Sequence, residues 1–259
     1  MRINRLLAMV HRDFLIITRL KWKIADMLYM PITTVLIWGL FSIYAKEFAA
    51  EAGFVLLVVN IFWTFAQLSQ SSINHGMMED VWSGSLKQLF FSGITEFEYL
   101  VSRIISTVIL SSFIAAIMLV MAFYFGFTMI ATHLPVFIAF IGITLIASTA
   151  LSVIVASLIF VMGREYGFLS WASIQIFVLL SAPFFPVETF PPFLQGISQV
   201  MPYTHIFSGI RVMIETGVMQ TSYLINGTIV AVVYLLISLP LYRLSFLRAK
   251  KTGQLVRMA

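Results

Sequence analysis

Apolar residues run in blocks of about 20 along most of this chain, the length at which an α-helix crosses the hydrocarbon of a bilayer. Six such blocks predict spans at Ile24 to Ala45, Phe54 to Ile73, Ile104 to Phe125, Pro135 to Val161, Phe168 to Phe185 and Leu224 to Phe246. Residues 1–22, ahead of them, follow another pattern. Ile3, Leu6, Leu7, Val10, Phe14 and Ile17 fall at helical spacing, while Arg5, Arg12 and Arg19 recur every seventh position on another face. Such a helix is too charged to span. It is expected to lie in the interface with its arginines toward anionic headgroups or a soluble partner, a simple topogenic basic leader being the competing reading. The expected fold class is all-α integral membrane: a single domain of six transmembrane helices, an amino-terminal interface helix and short outer re-entrant helices.

Polar positions refine this picture. The second block carries Asn60, Thr64, Gln67, Ser71 and Asn74, whose offsets of three and four draw a stripe down one helical face. Amides facing lipid would stay unsatisfied, so the stripe must meet other helices or a water-accessible path. Residues 79–103 form the most organised polar stretch. There Ser85 to Phe91 can make a short helix closed at Gly93, and Thr95 can cap the next one. Trp82, Leu86, Leu89, Phe90 and Phe91 give this loop an apolar side suited to docking or to anchoring at the membrane interface.

Residues 186–220 are expected to form an outer cap. Pro183, Pro186, Pro191, Pro192 and Pro202 break helices there, yet Phe184, Phe185, Phe190 and Phe193 keep the region apolar. Short segments that re-enter or cover the outer leaflet reconcile the two, provided the broken backbone packs on protein. Glu188, Arg211 and Glu215 are candidate ion-pair partners within it.

The composition agrees. The 259 residues are 60% hydrophobic and 10% charged, against roughly 25% charged in a soluble domain, and mean hydropathy is +0.98. With six spans both termini share one side. Taking that side as cytoplasmic leaves only Lys46 and Arg211 of the sixteen basic residues outside, as the positive-inside rule requires. The net charge of +5 therefore reads as topology, and no basic, aromatic-interleaved soluble face suggests nucleic acid. A cleavable signal peptide is not expected, because the leading basic residues are spread through the amphipathic stretch. The tail, 247–259, should be cytoplasmic.

Catalytic chemistry finds no footing. With no cysteine, thiolate metal sites and cysteine nucleophiles are excluded. His11, His75, His133 and His205 are scattered, without a metal-ligand spacing. There is no Gly-x-Ser-x-Gly elbow and no Gly-x-x-x-x-Gly-Lys-Ser/Thr phosphate loop. Within the spans, charge is confined to Asp26 and Arg243 near helix ends, which disfavours a proton-coupled secondary transporter. A membrane scaffold or assembly protein remains compatible with hydropathy alone.

Three stretches resemble the membrane subunit of the ABC type-2 permease family, the exporters of drugs, lipids and polysaccharides. They are the amphipathic helix; Glu79-Asp80-(x)3-Gly84-Ser85-Leu86-(x)2-Leu89 with Ser92-Gly93 and Arg103; and Phe190-Pro191-Pro192-(x)9-Met201-Pro202-Tyr203-Thr204-His205-(x)5-Arg211. The resemblance implies a bacterial or archaeal cytoplasmic-membrane permease that pairs with a second copy of itself among membrane lipids. Two copies of a separate ATPase would dock beneath, and these partners, not this chain, would bind ATP and Mg. It further implies that Arg5, Arg12, Glu79, Asp80, Gly84, Leu86, Leu89 and Phe90 couple to the ATPase. Asn60, Gln67, Asn74 and Gln175 would line the pathway, and Phe184, Phe185, Pro191, Pro202 and Arg211 would belong to the outer cap.

Overall fold

A computed structural model describes residues 3–45, 49–125, 130 and 132–253. Arg2, Lys46 and Arg257, counted above for orientation, lie outside the described residues, as does the end of the tail from residue 254. Among the described residues every regular element is helical. The amphipathic helix α1 is Ile3–Arg19, and α2 is Lys21–Ala45 with Pro31 inside it. Helix α3 runs Ala50–Trp82, α4 Ser85–Phe91, α5 Glu96–Tyr124 and α6 Leu134–Met162. A 3-10 turn at Arg164–Phe168 leads into α7, Leu169–Leu180. Helices α8, Pro192–Val200, and α9, Thr204–Thr216, precede the last helix, α10, Thr221–Lys251.

Five of these, α2, α3, α5, α6 and α10, are long and apolar enough to cross a membrane. The predicted fifth span, Phe168 to Phe185, takes a different form. Helix α7 has 12 residues and covers about 18 Å at 1.5 Å per residue, short of the roughly 30 Å hydrocarbon core. It stops at Ser181, after which Ala182 adopts φ 47° and Pro183 and Pro186 prevent continuation. Helix α3 departs in the other direction, continuing nine residues beyond the predicted Ile73 to Trp82. Its polar extension carries Asp80, which is buried and held by Arg12, Arg103, Tyr99 and Ser85.

Helix α6 is the hub. From Thr144 to Phe160 it is buried on nearly every side, and its Ala147, Ser148, Ala150 and Ser152 are small enough for backbones to approach closely. Against it α10 presents Gly227, Ala231 and Ser238. By contrast α2 and α10 bury little of their apolar surface within the chain.

Aromatic contacts gather helix ends at one pole. Phe90 of α4 packs on Tyr99 and Phe246, and Phe160 packs on Tyr242 and Phe246. The Tyr242 hydroxyl also donates to the Glu96 carbonyl at 3.4 Å. The carboxyl ends of α3, α6 and α10 therefore meet the amino end of α5, with α1 and α4 alongside.

Candidate functional site

At that pole two buried carboxylates organise the polar chemistry. Asp13 of α1 and Asp80 near the end of α3 are each only 5% exposed. Arg12 stands between them, its Nη2 3.0 Å from Asp13 Oδ1 and 3.1 Å from Asp80 Oδ2. Arg103, on α5, also bridges both, reaching Asp13 through Nη1 at 3.0 Å and Asp80 through Nη2. The Tyr99 hydroxyl donates to Asp80 Oδ2 at 2.9 Å, Ser85 Oγ to Asp80 Oδ1 at 2.9 Å, and Ser106 Oγ to Asp13 Oδ2 at 3.0 Å. Two anions and two cations thus compensate one another, and hydroxyls occupy further carboxylate lone pairs, which a buried ion network requires. Gly76 makes room for it: a Cβ there would lie 2.7 Å from Arg103 Nη1.

Further ties spread from this junction. Lys23 of α2 pairs with Glu79 at 2.6 Å. Arg5 donates to the Gly93 carbonyl and lies 3.9 Å from Glu98. Glu98 itself closes a capping box at the start of α5: Thr95 Oγ1 accepts from its backbone N–H and its carboxylate accepts from Thr95 N–H. Helices α1 to α5 are therefore held at their ends as one ionic block.

Arg5 and Arg12, expected toward headgroups or a soluble partner, make contacts within the chain. Arg12 turns inward to Asp13 and Asp80, because the buried side of α1 carries Asp13 beside Leu6 and Met9, while Arg5 stays part-exposed near Glu98. Asp13 was legible, since it sits four residues after Met9 and seven after Leu6, on the apolar side of the helix. Glu79 and Asp80 lie in α3 rather than in a loop. The αL conformation of Gly84, φ 69°, makes the turn into α4. In α4 Leu86 is 1% exposed, and Leu89 and Phe90 pack against the same core. The outward surface is Trp82, 64% exposed, Gln88, and Phe91, 88% exposed.

Above the junction an open groove of about 640 Å3 is lined by α1, α2, α3 and α5, with Trp171 of α7 on its wall. The predicted polar stripe divides over it. Thr64, Gln67 and Ser71 line the groove, whereas Asn60 is half-buried elsewhere and donates to the Leu56 carbonyl at 2.7 Å. Asn74 is fully buried outside the groove, and Gln175 lies exposed on α7. One α3 amide outside the predicted stripe, Gln70, is also buried and donates to Ser173 of α7 at 2.8 Å.

In the cap, Arg211 of α9 is buried against the turn that ends α7. Its Nη1 donates to the carbonyls of Ala182, Pro183 and Phe185 at 2.7, 3.1 and 2.6 Å. One cation thus satisfies backbone groups that the broken helix frees. The Glu215 and Glu188 carboxylates act on it only through space. Neither of these candidate partners forms an ion pair with it among the described residues, and backbone carbonyls take the guanidinium instead. Phe184 packs on Trp63, Phe185 on Phe190, and Pro202 is buried beside Tyr203, while Pro191 is exposed just before α8.

An all-helical multi-pass chain with an ion-paired amphipathic helix at one pole has the architecture of a membrane permease. The sequence model of the ABC-2 type transporter family matches residues 4–214, the greater part of the chain, and the protein belongs to that family as a permease component. No curated protein matches it in sequence.

Proposed function

We propose that this chain is the membrane subunit of an ATP-driven exporter, working as a pair of permease copies above a pair of ATPase subunits. The carrying observation is the junction around Asp13 and Asp80. It fastens the exposed apolar surface of Trp82 and Phe91 to the ends of α3 and α5 through charge networks and a buried Leu86. An ATPase that grips that surface moves the helices bordering the groove without first melting a loop. Drugs, lipids and glycans are the substrate classes consistent with the family.

In this reading the stretch 163–220 makes a sixth crossing, with α7 supplying its inner part and the α8–α9 cap its outer part. Both termini are then cytoplasmic. The supporting geometry is that α6 and α10 end at the same pole, so the chain between them must return to the opposite one. ATP and Mg belong to the ATPase partner, since this sequence carries no phosphate loop.

The test is co-purification with the ATPase. Trp82→Asp and Phe91→Asp should leave a monodisperse permease that no longer retains the ATPase in detergent. Retention of the ATPase by the double variant would remove the coupling assignment.

A further inference from the structure

The groove carries an excess of one negative charge, and its walls are those of a cation site. Its charged lining consists of Arg12, Lys23 and Arg103 against Asp13, Asp26, Glu79 and Asp80. All three cations are engaged by Asp13, Asp80 and Glu79 at the distances given above. Asp26 is left over: among the described residues no hydrogen bond or ion pair engages its carboxylate, and it is exposed to the groove. His75 also faces the space, with Nδ1 3.3 Å from the Ser71 carbonyl oxygen.

The remaining walls decide the kind of cation. Trp22 and Trp171 line the groove and are both more than half exposed; Lys23 Nζ stands 5.9 Å from the Trp22 ring centroid, so Trp171 is the indole that offers its face to a ligand. Ile16, Met27, Met30 and Leu68 make an apolar floor. A volume of about 640 Å3 lies within the roughly 300–1,000 Å3 typical of small-molecule sites. A hydrated metal ion would waste the apolar floor, and an anion would meet no free cation. An aromatic or aliphatic organic cation satisfies every wall at once: its charge meets Asp26, its body the floor, and indoles attract cations over their faces.

We propose that the groove is a binding site for amphipathic organic cations, with Asp26 as the charge-selecting residue and Trp171 as the aromatic wall. Binding stands on the groove alone; transport of the bound cation rests on the exporter reading above.

Tetraphenylphosphonium and neutral triphenylphosphine oxide make a suitable probe pair, measured by equilibrium binding to the permease in nanodiscs. The protein should bind the phosphonium saturably and at least tenfold more tightly than the oxide. Asp26→Asn should lose at least tenfold in phosphonium affinity while leaving the oxide unchanged, Asp26→Glu should retain most of it, and Trp171→Leu should weaken it several-fold. Equal affinity for the two probes, or phosphonium affinity indifferent to Asp26→Asn, overturns the site. A second readout uses proteoliposomes containing the permease and its ATPase, where the phosphonium should stimulate hydrolysis. Asp26-dependent binding without stimulation would uphold the site and remove transport of the cation, while the exporter reading itself falls with the ATPase co-purification above.

Discussion

Asp13 and Asp80 show how single residues set the local order of this protein. Each is a buried carboxylate surrounded by Arg12 and Arg103, so removing one charge strands its partners in a poorly hydrated place. Breaking a buried pair in this way costs about 3–5 kcal/mol. Asp13→Asn and Asp80→Asn are expected to lower the thermal midpoint in detergent markedly, whereas Arg19→Gln, at an exposed end of α1, should stay within about 0.5 kcal/mol of the parent. A midpoint for Asp13→Asn equal to that of Arg19→Gln would show that the network does not hold α1. Ala182 offers the opposite sign. Its φ of 47° costs a residue with a Cβ about 1–2 kcal/mol, so Ala182→Gly should stabilise the turn that Arg211 coordinates, seen as a raised midpoint.

At the scale of elements, α4 and the start of α5 were readable in the sequence almost to the residue. Gly84, Gly93 and Thr95 are local devices, two glycines in αL turns and a capping threonine, and local devices leave local signatures. Thr95→Ala should cost about 1 kcal/mol and speed amide exchange at Glu96 to Glu98. The inward side of α4 was less legible, because four apolar residues in seven cannot tell which of them packs. Leu86 does, and burying such a side chain contributes roughly 1.5–3 kcal/mol. Leu86→Asp is therefore expected to reduce the folded yield itself, which separates it from Phe91→Asp on the same helix. The early stop of α7 was hidden for a different reason. Prolines announced a break near 183, but a backbone freed within an apolar region needs a donor, and that donor, Arg211, lies 28 residues away in sequence.

At the scale of the whole molecule, five of the six crossings read from hydropathy are long helices in the expected order, since hydrocarbon thickness imposes a length on each crossing, while the block at 168–185 holds a helix of only 12 residues. The division of the polar stripe did not follow from hydropathy. Residues 60, 64, 67, 71 and 74 share a helical face in sequence, but α3 is 33 residues long and meets different neighbours along its height. Thr64, Gln67 and Ser71 open to the groove, whereas Asn74 is shut into protein with neither amide atom hydrogen-bonded. The chain contains no cysteine, so single cysteines can be placed without background. Gln67→Cys should react with a membrane-impermeant maleimide added to inside-out vesicles and should be protected in right-side-out vesicles, because the groove shares its pole with α1 and α4. Asn74→Cys should resist the reagent from either side in the resting state. Should Asn74→Cys label as fast as Gln67→Cys, the packing of α3 would be wrong at that level. Labelling of Gln67→Cys only in right-side-out vesicles would instead invert the proposed orientation, and the block joining α1 to α5 would then face away from any cytoplasmic ATPase.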